Sequence, residues 1–335
     1  MTTLDDVARH VGVTSATVSN VITGKGSVGE NTRARVFAAI EELGYQPNLV
    51  ARSLARKKTF TLALVLLTIA NPFYAEIAEE IERVARQHGY QLLLCNTHKD
   101  TMIGREHLKA LSSRWVDGLL VMGGSLSVPD MLAAARRGQR GQPLVLSVPS
   151  EHEQNVALPV VDIDFHHAGE LVARHLLELG HHRTAVIVEA PSHTLRLEGF
   201  RTALATSGVA LPTEYVQYGD STMQSGYQGA EALLALPIRP TAIFATNDLM
   251  ALGAVEAALD QGLRVPGDLS VAGLDDIMLG AHVRPPLTTV AIPKQDLAKQ
   301  AIELLLRYID GVESEPVSLT VRPHLVIRHS TAGVI

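Results

Sequence analysis

The stretch "TLDDVARHVGVTSATVSNVITG", Thr3–Gly24, decides what kind of head this chain carries. Leu4, Val7, Ala8 and Val11 recur at i, i+3, i+4 and i+7, the apolar stripe of a helix. Thr3 stands at its N-cap and Asp6 at N3, where hydroxyl and carboxylate can satisfy orphan backbone N–H groups. Gly12 stops the helix, because a reversal with positive φ costs glycine little. Thr14 caps a second helix, with Val13 and Val18 as its hydrophobic staple, and Val18, Val21 and Ile22 continue one apolar face. A third helix is expected near Asn31–Gly44, burying Val36, Phe37, Ile40 and Leu43. Three short helices, the first two joined by a tight glycine turn, make a helix-turn-helix. Its second helix suits the DNA major groove.

A competing reading lies just downstream. "GKGSVG", Gly24–Gly29, spells G-x-G-x-x-G, the loop that cradles a pyrophosphate in NAD-dependent enzymes. Thr17–Ile22 would be its strand, and Glu41 or Glu42 its ribose acid. That reading needs residues 17–22 to be extended, but the wider window is helical. It also needs a strand after the third helix, where the chain has the basic, helical "QPNLVARSLARKK". An inter-helix loop is the preferred reading.

The 335 residues leave room for two or three domains. Aromatics make up only 4%, so the core must be built from Ala, Leu and Val. Cys95 is the single cysteine, which excludes an internal disulfide and a multi-cysteine metal site. The opening "MTTLDDVARH" lacks the apolar run of a secretory signal, and nothing approaches the ~18 apolar residues of a membrane span. A cytoplasmic protein without a membrane partner is expected. Net charge is −6, yet residues 1–58 hold eight Lys/Arg against five Asp/Glu. A basic head on an acidic body suits an anionic polymer.

The quoted head, with the "VGENTRARVFAAIEELGYQPNLVARSLARKKT" that follows, resembles the LacI/GalR family of bacterial transcription regulators, and family-like motifs recur along nearly the whole chain. The resemblance implies a double-stranded DNA operator as partner, with Ser15, Ala16 and Asn20 choosing its sequence. Asn20 can bond bidentately to adenine, whereas Ala16 offers only apolar contact, for instance with a thymine methyl. Thr3, Thr14, Thr17 and Ser19 complete the expected DNA contacts of the head, their short hydroxyls suited to phosphate. In "NLVARSLARKK", Asn48 caps a helix too short to be stable alone, with Val50 and Leu54 on one face and Arg52 and Arg56 beside it. In the family this is a hinge helix that pairs with its dimer mate in the minor groove. The leucine matching Leu54 wedges into the central base step there. Asn48, Ala51, Arg52, Leu54 and Ala55 are the implied hinge contacts.

From Phe60 onward, apolar runs alternate with amphipathic helices. "TLALVLLTI", "YQLLLC", "VDGLLVM" and "PLVLSV" form one series of strands. "PVVDID", "TAVIVEA", "YVQYG", "TAIFATN" and "LSVAGL" form a second. In the helix "YAEIAEEIERVARQHG", Tyr74, Ile77, Ala78, Ile81, Val84 and Ala85 should face inward. Such alternation means parallel sheets with ligands at the carboxyl ends of strands, and two series suggest two lobes around a cleft. The family implies an all-α helix-turn-helix head plus an α/β two-lobed periplasmic-binding-protein-like (type I) effector domain. The expected division is a head over 1–47, a hinge over 48–59 and a body over 60–335. Within the body, one lobe is about 60–161 plus 292–321 and the other about 162–291 plus 322–335.

Polar residues just past strand ends are the cleft candidates, among them Asn71, Asp164, Asn247 and Asp248, the last three of which could equally be helix caps. By resemblance, the effector-binding set is Phe73, Tyr74, Ser147, Arg196, Ser221, Asn247 and Asp275. Arg196 and Asp275 offer a donor fork opposite an acceptor pair for hydroxyls or a carboxylate. Departures from the family pattern matter too. Ser221 stands where sugar-responsive relatives stack an aromatic, Ser147 where several carry an acid, and "VAI" where a polar position follows "PPLTT". A sugar or sugar derivative is the implied ligand class, but an ordinary hexose does not follow.

No catalytic residues, metal or cofactor are expected, since G-x-S-x-G, H-E-x-x-H and G-x-x-x-x-G-K-[ST] are absent. The pairs His166-His167 and His181-His182 are expected to be solvated. The function that emerges is a dimeric, effector-controlled repressor. No leucine heptad closes "LVIRHSTAGVI", so a heptad-built tetramer is not expected. A solute-binding protein without regulation is the remaining alternative, although it accounts neither for the basic head nor for the missing export signal.

Overall fold

The computed structural model describes residues 2–23, 26–45, 58–111, 116–124, 126–136, 141–148 and 156–334. The expected hinge contacts Asn48, Ala51, Arg52, Leu54 and Ala55 lie outside the described residues. Two compact units divide the chain, Met1–Thr59 and Phe60–Ile335.

In the first unit, α1 (Leu4–Val11), α2 (Ser15–Thr23) and α3 (Glu30–Glu42) form the helix-turn-helix. The capping box is present: Asp6 N donates to Thr3 Oγ1 at 3.2 Å, and Thr3 N donates to Asp6 Oδ2 at 2.9 Å. Gly12 closes α1 at φ 72°, in the left-handed region that suits glycine. Thr17 N donates to Thr14 Oγ1 at 3.1 Å, so Thr14 does cap α2. Val7, Ala8, Val11, Val18, Val21, Val36, Ala39 and Tyr45 make the core, with Val13 packed against it. Phe37 corrects the expected core of α3, being 51% exposed. Val36, Ala39, Ile40 and Leu43 hold the inward stripe, and Phe37 is about 100° round the helix from Val36. Because residues 15–23 are helical, the strand required by the dinucleotide reading of GKGSVG does not exist.

The second unit contains two six-stranded sheets. The first runs β11-β5-β4-β3-β1-β2 and is parallel throughout: β1 (Thr61–Leu66), β2 (Gln91–Asn96), β3 (Gly118–Met122), β4 (Leu144–Ser147), β5 (Val160–Ile163) and β11 (Ser318–Val321). Strand alternation explains the continuous apolar run of β1. Leu62, Leu64 and Leu66 face α4 (Pro72–Gln87) and α12 (Lys294–Ile309), whereas Ala63 and Val65 face α5 (Thr101–Leu111) and α6 (Val128–Ala135). On α4, Phe73 takes the inward place expected for Tyr74, which is only half-buried.

The second sheet runs β12-β10-β9-β8-β6-β7: β6 (Thr184–Val188), β7 (Val216–Tyr218), β8 (Ala242–Ala245), β9 (Ser270–Asp275), β10 (Thr288–Ala291) and β12 (His324–Val326). Only β12 is antiparallel, to β10. Its helices are α7 (Phe165–Glu178), α8 (Thr194–Thr206), α9 (Met223–Leu234), α10 (Asp248–Asp260) and the short α11 (Met278–His282). The chain passes between the sheets after β5, β10 and β11, so the lobes share three crossings.

Helices α7 and α8 meet backbone to backbone. A Cβ on Gly169 would lie 2.0 Å from Arg196 O, and one on Gly199 would lie 1.9 Å from His166 O. This contact fixes the first turn of α8, and with it Arg196.

His181 is not solvated. It is 3% exposed, pairing through Nδ1 with Thr241 Oγ1 at 2.9 Å and through Nε2 with Ser270 Oγ at 3.0 Å and Ala332 O at 2.9 Å. The C-terminal segment packs over it, which no local pattern around "GHH" announces. His166, His167 and His182 remain at least partly exposed.

Candidate functional site

Strands of both sheets deliver their carboxyl ends to one cavity of about 160 Å³. Leu67, Thr68 and Asn71 follow β1, Lys99 follows β2, Val148 follows β4, Glu189 follows β6, Ser221 follows β7, Asn247 follows β8, and Asp275 ends β9. This is where open parallel sheets place ligands. Both lobes therefore contribute side chains.

Six of the seven expected effector residues line that cavity: Phe73, Tyr74, Arg196, Ser221, Asn247 and Asp275. Ser147 does not. It is fully buried at the end of β4, and Val148, at φ 52°, takes its place on the wall. Asp164 is a helix cap, its Oδ1 accepting from His167 N at 2.9 Å. Asp248 lies beneath the wall, accepting from Ile277 N at 2.8 Å and from Thr289 Oγ1 at 2.5 Å. Asn247 plays both parts: its Oδ1 caps α10 by accepting from Met250 N at 2.8 Å, while its Nδ2 donates to Ser221 O at 3.3 Å.

Arg196 is 6% exposed, with its guanidinium 4.0 Å from the centre of the Phe165 ring. Nη1 donates to Thr246 O at 2.6 Å and stands 3.9 Å from Asp275 Oδ1. Burial drives the Asp275 carboxyl well above the ordinary range, against a smaller opposing pull from Arg196. Burial likewise raises the Tyr74 phenol, which keeps it a hydroxyl. His193 is held well below its ordinary value by burial, and then by Arg196 and Lys99. It is a neutral imidazole, with Nδ1 paired to Thr246 Oγ1 at 2.8 Å.

Three ionisable wall residues escaped the sequence reading. Glu189 accepts a hydrogen bond from Ser221 Oγ and stands 3.6 Å from His193 Nε2. Lys99, from the other lobe, lies 3.7 Å from Glu189 and donates to Asp220 O at 3.0 Å. Glu189 had a legible signal, an acid just past the strand "TAVIV". Lys99 had the same kind of signal past β2. His193 had none.

In the head, Ala16 and Asn20 are exposed one turn apart on α2, opposite buried Val18 and Val21. Ser15 is half-buried and donates to Asp5, and Thr17 Oγ1 lies 2.9 Å from Thr14 Oγ1. Thr3 and Thr14 are exposed and Ser19 half-buried.

Comparison with known proteins agrees with this geometry. Residues 3–48 match bacterial regulatory proteins of the lacI family, and residues 173–331 match the periplasmic binding protein-like domain. The HTH-type transcriptional repressor PurR of Proteus mirabilis is 37% identical over 335 residues, covering 99% of this chain and 97% of that one. The chain belongs to the LacI family. Among solved structures, the lac repressor dimer bound to operator and the anti-inducer ONPF superposes with a TM-score of 0.87 at 28% identity, covering 99% of each chain. The regulator CelR in complex with cellobiose gives 0.74 at 34% identity, covering 98% of this chain and all of that one. Like these relatives, this LacI-family chain is a DNA-binding regulator of transcription. Among the described residues no helix is long and apolar enough to cross a membrane.

Proposed function

We propose that the chain represses transcription as a cytoplasmic homodimer. It binds a near-palindromic operator, with an affinity set by a small effector in the cleft between its lobes. It acts by binding and not by catalysis. The observation that carries this reading is the cavity wall: Tyr74 and Lys99 from one lobe face Glu189, Arg196 and Asp275 from the other. A molecule held by both lobes changes the angle between them, and DNA and effector affinities are then linked reciprocally.

Residues 1–47 are the proposed reading head, 48–59 the hinge and 60–335 the effector body. On α2, Ala16 and Asn20 read base edges, with Ser15 at its N-terminal end. Thr3, Thr14, Thr17 and Ser19 meet the backbone. Asn48, Ala51, Arg52, Leu54 and Ala55 are the proposed minor-groove contacts. Phe73, Tyr74, Arg196, Ser221, Asn247 and Asp275 hold the effector, and Ser147 supports the wall behind Val148. Cellobiose in CelR and ribose in an Enterococcus faecium LacI-family regulator support a sugar or sugar derivative.

The dimer is supported by two exposed sheet edges on one flank. β2 ends one sheet and β7 the other, and Lys99 just past β2 donates to Asp220 O just past β7. Leu93, Leu94, Tyr218 and Met223 lie exposed along or beside these edges. Unpaired edges with apolar side chains invite a second copy.

A thermal-shift panel of sugars, sugar phosphates, nucleobases and carboxylates, run on the full chain, tests the effector reading. A ligand at a hundred times its Kd adds about 2.7 kcal/mol. A hit should disappear in Arg196→Ala and Asp275→Ala. A hit that persists in both would place the ligand elsewhere.

A further inference from the structure

A short loop joins the cleft wall to the opposite lobe through hydrogen bonds on both sides. The loop runs from Asp275 through Met278, and Asp275 and Asp276 both have positive φ, 126° and 52°. Asp275 faces the cavity. The Asp276 carboxylate accepts from Arg328 at 2.6 Å, and Ile277 N–H donates to Asp248, both within the same lobe. Two further groups cross to the other lobe. Lys294 Nζ, at the start of α12, donates to Asp276 O at 2.6 Å, and Met278 N donates to Glu76 Oε1, on α4, at 2.9 Å. Lys294 and Glu76 are themselves paired at 2.9 Å, with the lysine side chain only 12% exposed.

We infer that Glu76 and Lys294 are positioning residues that lock the Asp275 loop to the opposite lobe and so set the interlobe angle at which the cavity is complete. On each side of the latch, one partner lies close to a wall residue in sequence. Glu76 follows Phe73 and Tyr74 on α4, and Asp276 follows Asp275. Moving the lobes apart must therefore break the latch and part the wall together. A donor and an acceptor offered side by side to two peptide groups of one loop also fix its direction, which a lone ion pair does not. Because the Lys294–Glu76 pair is largely shielded from water, removing either partner leaves the other poorly compensated, unlike an exposed pair. The inference rests on the effector reading only for its purpose. Glu76, Lys294 and Asp276 themselves stand outside the cavity wall.

Pulsed-EPR distances in the full-length, ligand-free protein test it. Spin labels are placed at Met102→Cys and Ile238→Cys, exposed sites on opposite lobes, with labelled chain diluted into unlabelled chain. Lys294→Met and Glu76→Gln should each shift the interlobe distance distribution and broaden it, and the double variant should do no more than either alone. Lys294→Arg should restore the original distribution. Arg328→Met is the control, because it disturbs the same loop from within its own lobe and should leave the distribution in place. Unchanged distributions in Lys294→Met and Glu76→Gln would overturn the inference, as would an equal shift in Arg328→Met. Neither outcome depends on whether a small molecule binds the cavity, so failure of the effector reading would show separately in the ligand panel.

Discussion

Arg196 and Asp275 approach to 3.9 Å in a buried wall without completing a hydrogen bond between Nη1 and Oδ1. Nη1 is committed to Thr246 O, and Asp275 Oδ1 has no hydrogen-bond partner among the described residues. A buried acceptor left in this state is costly unless something donates to it. In the proposed reading, a ligand hydroxyl or N–H takes that role. Asp275→Asn keeps the shape and removes the charge, so the fold should be at least as stable as the original. Effector affinity should fall by about 10- to 100-fold, the ~1.5–3 kcal/mol of a charge-assisted hydrogen bond. Calorimetric titration beside a melting curve separates the two effects.

Asp248 supplies a pH test. Burial raises its folded value to about 6 from an ordinary 3.8, although Thr289 and Ile277 hydrogen bonds pull the other way. For an acid whose folded value is raised, ionisation opposes folding. The penalty is complete above pH ~6 and vanishes as pH falls towards 3.8, amounting to about 3 kcal/mol. Asp248→Asn keeps an acceptor for Ile277 N and a partner for Thr289. The variant should therefore gain on the original protein as pH rises from 4 to 7. Denaturant midpoints across that range check it.

His181 should show the opposite sign. Its folded value lies below the ordinary 6.5, chiefly through burial, so its share of stability is present above pH ~6.5 and lost as pH falls below it. His181→Ala removes the buried ring that ties Thr241 Oγ1 to Ser270 Oγ and Ala332 O, and should cost about 1–3 kcal/mol at pH 7.5. The loss should shrink at pH 5. Hydrogen exchange should rise first in the C-terminal segment.

Gly199→Ala puts a methyl where His166 O already stands. The α7–α8 contact must open, at about 1–3 kcal/mol or more, and Arg196 moves with the first turn of α8. Stability and effector affinity should fall together. Asp275→Asn should separate them.

The helix-turn-helix, nine of the twelve strands among the described residues and most of the cleft were legible because periodicity, caps and strand ends are local signals, although "PVVDID" stands as β5 in the first sheet and not at the head of the second series. Gly12, Thr3 and Thr14 act as the sequence alone implies. What escaped depends on distant partners. Phe37 is as apolar as its neighbours, and only the helix phase turns it outward. His181 looks like a loop residue until Ala332, 151 positions away, covers it. Glu189 and Lys99 sit past good strands, but their meeting depends on how two lobes close.

Asn20→Ala should leave phosphate contacts intact and relax sequence choice by ~1–3 kcal/mol at one base pair of each half-site. The parent experiment is the most direct test of the central claim. Full-length protein is used to select from a library of random double-stranded DNA, and the enriched pool is sequenced. Enrichment of one near-palindromic motif, with half-sites spaced for a two-fold dimer, is the expected result. A pool with no shared motif would contradict sequence-specific regulation by this chain.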